Sequence, residues 1–290
     1  MDFFKSVLGA LRTQSLPMEH WELLVIDNAS NQYLADILEL SWHPRAQVIR
    51  EEALGLTRAR LTGISHAKSD LLIFVDDDNV LDEEYLAEAL KIKREWPILG
   101  VWGGGIQPLF ETEPPPWSKP YLGYLALREV RENCWSNFMS DPGRIPVGAG
   151  MCVRPVVAEE YARKLSSDPA RLSLGRRGQS LSSCDDFDLV WTSCDIGLGT
   201  GLFPQLLLTH LIPANRLKAD YLLKLLEGVC YSSAILKAIR GYPPEPYSWL
   251  RSMKGYISAL RRGMWETRFY RASQRGSSLA RREIATWNRA

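Results

Sequence analysis

Leu71-Leu72-Ile73-Phe74-Val75-Asp76-Asp77-Asp78 decides the fold. Five consecutive apolar residues read as a strand buried on both faces, the pattern of a parallel α/β sheet. Three carboxylates follow at the strand's C-terminal end, the edge where open α/β sheets bind ligands. Adjacent acids repel one another, so they need solvent or a cation. A divalent metal gripping a diphosphate is the sharpest reading of the cluster, and an Asp-rich turn capping the next helix is the bland one.

Working outward, strands alternate with helices. Phe4, Val7, Leu8 and Leu11 have helical spacing, and Pro17 closes that segment. Trp21–Ile26 is a predicted strand ending in Asp27-Asn28-Ala29-Ser30, with a helix at 32–40 and a weak strand at 46–49. Helices are predicted over 56–67 and 82–96, flanking the strand at 71–75. Such alternation implies parallel βαβ units. Further strands are predicted at 101–109, 146–154 and 202–208, with a mobile Ser/Gly/Arg-rich loop at 166–183. From Asn215 the pattern is helical, broken at Pro243-Pro244 and Pro246.

The 290 residues are 46% hydrophobic and 24% charged, an ordinary globular balance. A net charge of +1 gives no overall drive toward nucleic acid. It conceals an asymmetry: from Arg251 onward ten Lys or Arg face two acids, Glu266 and Glu283. We read Arg261, Arg262, Arg268 and Arg271 as a surface for an anionic membrane. The odd number of cysteines, with no CxxC pair, suggests neither a disulfide framework nor a zinc knuckle. Without an apolar run near the ~20 residues of a membrane span, a cytoplasmic protein, at most peripheral to a membrane, is expected.

Several residues have the chemistry for a site at this edge. Asp78 is the expected direct metal ligand, with Asp76 toward a ribose or a metal-bound water. Asp27 ends another strand, and either holds a turn or accepts a hydrogen bond from a nucleotide base. Arg58 and Arg60 open the helix before the acidic strand, where cations would neutralise a diphosphate. Asp185 and Asp186 form a second acidic pair, either favouring a helix N-terminus or supplying a general base. His210 is either structural or a metal ligand. Gly103, Gly104 and Gly105 open no helix, so they form no dinucleotide fingerprint; close approach of a ligand is the expected use. Trp117 either stacks on a sugar or plugs the core.

In order and spacing these pieces resemble the family 2 glycosyltransferases of the GT-A fold, found in bacterial polysaccharide and glycolipid synthesis. The match runs through Trp21–Ser30, Gly55-Leu56-Thr57-Arg58-Ala59-Arg60, Gly63, Ile73–Asp78, Gly103-Gly104, Val147–Met151, Cys184-Asp185-Asp186, and His210 with Pro213 and Arg216. It covers roughly residues 3–216. The resemblance implies that Asp27 touches the base, that Asp76, Asp77 and Asp78 hold metal and diphosphate, and that Asp186 or Asp185 is the base. It also implies that His210 adds a metal ligand and that transfer inverts the anomeric carbon. Members of the family usually open with an apolar strand and a Thr or Ser turn. This chain opens inside the following helix, so either its start is misassigned or the first strand is missing, which would remove a central strand and part of the donor pocket.

The expectation is therefore an α/β GT-A (Rossmann-like) fold, a mostly parallel sheet flanked by helices, over residues 1–214, with a helical C-terminal extension at 215–290. The expected catalytic residues are Asp186 and Asp185. Asp27, Arg60, Asp76, Asp77 and Gly104 are expected to bind the nucleotide-sugar, and Asp78, Asp76 and His210 a Mn²⁺ or Mg²⁺ ion. The partners are a nucleotide-diphosphate sugar and a saccharide or lipid-linked acceptor. The rivals are a non-catalytic nucleotide-sugar-binding or scaffold protein and a nucleotidyltransferase, which would need a Gly- and Arg/Lys-rich loop that is not visible here.

Overall fold

The computed structural model describes residues 3–138, 145–242 and 246–287. The predicted helix break at Pro243-Pro244 lies outside the described residues.

Helix α1 (Phe3–Arg12) buries Val7 and Leu11, as its spacing demands. It leads into β1 (Leu23–Asn28), which pairs in parallel with β2 (Ala46–Glu51), Leu23 opposite Ala46. The helix expected at 32–40 reduces to a short 3-10 turn at Leu34–Asp36. Its start is diverted because the Asp27 carboxylate accepts hydrogen bonds from the amides of Ser30 and Leu34 and bends the chain around itself.

Helix α2 (Leu56–His66) and strand β3 (Leu72–Phe74) follow, then β4 (Asn79–Leu81) and α3 (Tyr85–Glu95). The centre of the molecule is β5 (Leu99–Phe110). After it come β6 (Cys134–Ser136), β7 (Met151–Val153) and α4 (Pro155–Ser167). Helix α5 (Asp185–Asp195) and the long β8 (Gly199–Ile212) complete the sheet region. Strand β7 is shorter than predicted because a tight turn, closed by the Met151 amide on the Gly148 carbonyl, occupies its first half. The loop at 166–183 is pinned by fully buried Leu174.

The sheet is mixed rather than mostly parallel. β5 and β8 pair in parallel, whereas β7 runs antiparallel to β3 and β5, and β4 and β6 run antiparallel to β8. It is also in two parts: β1 and β2 form their own ladder, and no pairing joins β1 to β3 among the described residues. An apolar cleft lies between those two strands, walled by Val7 and Leu11 of α1, Leu23 and Val25 of β1, and Ile73 of β3. It opens into the acidic end described below.

Three helices follow the sheet: α6 (Ala219–Ile239), α7 (Trp249–Arg262) and α8 (Met264–Trp287). α6 and α8 share a core around Leu222, Leu225, Phe269 and Ala272. Trp117 stacks on Trp265 with ring centroids 4.1 Å apart, which assigns it to packing rather than to a sugar.

Candidate active site

One cavity of about 1070 Å³ gathers most of the expected residues. Arg60, Asp76, Asp77, Asp78, Asp185, Asp186 and His210 all line it. Asp27 and Gly104 do not.

β3 carries the acids to the cavity, and the β4–β8 ladder brings up the histidine. Asn79 lies opposite His210, so Asp78, one residue earlier, meets a side chain 132 positions away. The Asp78 carboxylate receives Arg216 at 2.8 Å and the Asn79 amide at 3.0 Å, and lies 3.5 Å from His210 Nε2. The pairing with His210 and Arg216 outweighs burial and holds Asp78 below the ordinary aspartate value. His210 Nδ1 is 3.0 Å from the Leu125 carbonyl, which can only accept. A neutral ring therefore carries its proton on Nδ1 and turns the Nε2 lone pair toward Asp78, where Arg216 donates to it at 3.0 Å. Arg216 thus places positive charge at the point shared by a carboxylate oxygen and an imidazole nitrogen.

Among the described residues no group of three or more His, Cys, Asp or Glu side chains can hold a metal by itself. Asp78 and His210 are donors of the kind a hard divalent cation takes alongside phosphate oxygens and water, but Arg216 occupies the point between them here, so a cation bound there would have to displace it. Asp76 sits on the opposite side of the cluster, toward Arg60. Burial pushes its carboxyl up, Arg60 and Arg176 pull it down, and Asp78 and Asp185 add to the upward push. Asp77 is exposed, and its carboxyl too is raised, by partial burial and its two acidic neighbours.

The second acidic pair sits at the N-terminus of α5, and the two carboxylates have different surroundings. Asp185 is buried, receives Arg60 at 2.8 Å, and has the Thr57 hydroxyl at 3.3 Å. Asp186 is half-buried; it accepts the Gly148 amide at 3.1 Å and the Phe187 amide at 2.8 Å. Burial and the neighbouring Asp185 push its carboxyl up to about 6, against the pull of Arg60 and the two amides. Of the two acids on this wall, Asp185 is tied into an ion pair with Arg60, and Asp186 is left able to take a proton near neutral pH. Gly148 is required at this wall, since a Cβ there would lie 2.1 Å from the Arg60 guanidinium.

Two expected ligands are used otherwise. Asp27 is 1% exposed and saturated: Arg50 donates at 2.8 Å, and the Ser30 and Leu34 amides at 3.1 Å each. Burial raises its carboxyl, but these bonds prevail and hold it at about 2. In this structure it organises the turn after β1. Gly104 lies at a register shift between β5 and β8, where a Cβ would sit 1.8 Å from the Leu206 carbonyl oxygen. Backbone crossing, not ligand approach, explains that glycine. Arg58 is exposed on α2. Four cavity arginines were not singled out for chemistry by the residue reading: Arg128; Arg216, six positions beyond His210; and Arg176 and Arg177, in the loop read as mobile.

Residues 2–144 match the profile described as Glycosyl transferase family 2. Over those residues, just under half of its length, the chain is similar to the family 2 glycosyltransferases. That similarity agrees with a Bacillus subtilis (strain 168) relative, EpsH, named as a putative glycosyltransferase: 28% identity over 91 residues, 31% of this chain and 26% of EpsH. That match thus spans about a quarter of the curated relative. Among solved structures, the mannosyltransferase PcManGT from Pyrobaculum calidifontis, in complex with GDP-Man and Mn²⁺, is similar at TM-score 0.55 and 17% identity, covering 99% of this chain and 75% of that one. S. aureus TarS 1-349 is similar at TM-score 0.51 and 13% identity, covering 99% and 88%. These likenesses show the GT-A fold for this chain. Among the described residues no helix is long and apolar enough to cross a membrane.

Proposed function

We propose that the protein transfers a sugar from a nucleotide-diphosphate donor to a hydroxyl of a saccharide or lipid-linked acceptor, with inversion, at a membrane surface. The observation that carries this reading is the meeting of the β3 acids, the α5 acids and Arg60 in one cavity, with the Asp186 carboxyl raised to about 6. Asp186 accepts the acceptor's proton as the new C–O bond forms at the anomeric carbon. The anomeric bond to the phosphate oxygen breaks, and its electron pair leaves with the diphosphate. Arg60 pairs with Asp185 and fixes the α5 N-terminus. Arg176 and Arg216 face the departing diphosphate. Asp78 and His210 would hold a Mn²⁺ or Mg²⁺ ion, which when bound neutralises the charge that builds on that diphosphate. The domain assignment we propose is glycosyl transfer by residues 1–214, with 215–290 as a helical extension.

The experiment is a screen of UDP-, GDP- and dTDP-sugars with Mn²⁺, beside calorimetry of donor binding to wild type and Asp186→Asn. The expected result is turnover with one donor and a loss of about 10²–10⁴-fold in the variant, with donor binding retained. Near-normal turnover by Asp186→Asn would refute the role of the base. Binding without turnover of any donor by wild type would favour the non-catalytic rival.

A further inference from the structure

Helix α7 has the sequence Trp249-Leu-Arg-Ser-Met-Lys-Gly-Tyr-Ile-Ser-Ala-Leu-Arg-Arg262, with four cations and no acid. One face is accounted for by packing. Ser252, Gly255, Tyr256 and Ala259 turn toward α8, where the Tyr270 hydroxyl donates to the Ser252 carbonyl at 2.8 Å and Ala259 is fully buried. The adjacent face is apolar and open. Trp249, Leu250, Met253, Ile257 and Leu260 are each between 42% and 63% exposed. At a rotation of about 100° per residue, these five side chains fall within roughly 100° of the helix circumference. Lys254 and Arg261 border that stripe on the side away from α8, and Arg251 and Arg262 lie beyond them. The cross-section is therefore a packed side, an apolar exposed side and a cationic side, in that order.

Two of the arginines expected on a lipid-facing surface belong elsewhere. Arg268 lies over the Trp265 ring and near Asp220, and Arg271 lies over the Tyr256 ring, so both are engaged within the helical extension. The basic residues exposed beside the stripe are Lys254 and Arg261 of α7.

We infer that α7 lies in the plane of an anionic lipid bilayer, its apolar stripe sunk at the headgroup boundary and Lys254 and Arg261 reaching anionic headgroups. Charge complementarity selects this occupant: an apolar stripe whose border away from α8 carries cations and no acid, with an aromatic ring at its start, matches an anionic interface. A helix of fourteen residues held laterally by α8 can lie on a bilayer but cannot span one. The inference goes beyond the transfer reading and stands without it, since the test needs no donor.

The test is flotation of the full chain with vesicles of phosphatidylcholine, alone or mixed with phosphatidylglycerol, at low and high salt. Two double variants accompany it, Leu250→Asp with Ile257→Asp and Lys254→Glu with Arg261→Glu, all at exposed positions. Wild type is expected to float with the mixed vesicles at low salt, and each double variant to lose at least about tenfold in partitioning while keeping its helical circular dichroism. Unchanged flotation of both variants, or no flotation of wild type, would overturn the inference. So would light scattering that shows a wild-type dimer split into monomers by the Asp variants, which would give the stripe to a second copy of the chain.

Discussion

Arg240 ties the helical extension to the helix that carries the acidic pair, and replacing it is the sharpest test of that link. Asp188 of α5 is fully buried, and two arginines share its charge. Arg171 donates to both carboxylate oxygens at 2.6 and 2.7 Å. Arg240, just past α6, donates to Oδ1 at 2.8 and 3.0 Å, to the Asp188 carbonyl at 3.0 Å, and to Asp195 at 2.9 and 3.1 Å. Arg240→Met keeps the aliphatic stem and removes the charge. Breaking a buried ion pair from one side costs about 3–5 kcal/mol, because the remaining charge stays buried. Arg171 still serves Asp188, and Lys164 still serves Asp195, so the low end applies: a loss of about 3 kcal/mol. Urea denaturation at neutral pH measures it. A double-mutant cycle with Asp188→Asn should show coupling of at least about 1 kcal/mol. The turnover number should fall more than donor affinity, since α5 sets the position of Asp186 while other segments contribute to the donor site. A loss below about 1 kcal/mol, or an additive cycle, would refute the reasoning.

Three further outcomes follow from the same geometry. Asp186→Asn should stabilise the fold at alkaline pH. The folded carboxyl titrates at about 6 against an ordinary 3.8, so stability falls as pH rises between those values; relief by Asn is about 3 kcal/mol at pH 7.5, at about 1.4 kcal/mol per unit, and about 1.5 kcal/mol at pH 5, read by denaturation at each pH. Arg60→Met removes the cation that pulls the Asp186 and Asp76 carboxyls down, so the acid limb of the pH–rate profile should move to higher pH; a limb that stays put or moves down contradicts the assignment. Asp78→Asn should abolish the dependence of UDP binding on Mn²⁺ in calorimetry, whereas retention of that dependence would remove Asp78 from the metal site.

The fold was legible where burial speaks through local sequence. The helical spacing of α1, α2 and α3 needed no distant information; the apolar run at 71–75 does form a strand, but at Leu72–Phe74 it is half-buried and antiparallel to β7 rather than buried on both faces of a parallel sheet. Pairing direction did, because β7, β4 and β6 return antiparallel through contacts that span tens to hundreds of residues. Of the candidate residues, those at element ends came together in the cavity: Asp76–Asp78 after β3, Asp185 and Asp186 opening α5, His210 on β8. Asp27 looked identical in sequence, but a strand-end carboxylate can turn back onto its own loop amides, and nothing local distinguishes the two uses. Gly104 poses the same problem: the missing Cβ admits either a ligand or another backbone, and here Leu206 supplies the backbone. Arg216 escaped residue-level reading because an arginine shortly after a strand has no periodicity to betray its partner.

The cavity also shows why two adjacent carboxylates need not be redundant. Asp185 and Asp186 share a helix N-terminus, whose dipole favours both anions, and they repel each other across it. Arg60 resolves the conflict in favour of Asp185, whose oxygen it reaches at 2.8 Å inside a buried pair. Burial and the field of Asp185 then outweigh the support Asp186 draws from Arg60 and two amides, and its carboxyl rises to about 6. One of those amides belongs to Gly148, where any side chain would collide with Arg60. The glycine, the arginine and the first acid therefore act together on the second acid. A base made this way is ionised at neutral pH yet basic enough to accept a proton, the compromise that general-base catalysis requires. The cation that sets this balance lies on α2, and the acids lie on α5. Their alignment rests in turn on Asp188, Arg171 and Arg240 at the far side of α5, so the helical extension takes part in tuning a site whose cavity it barely lines.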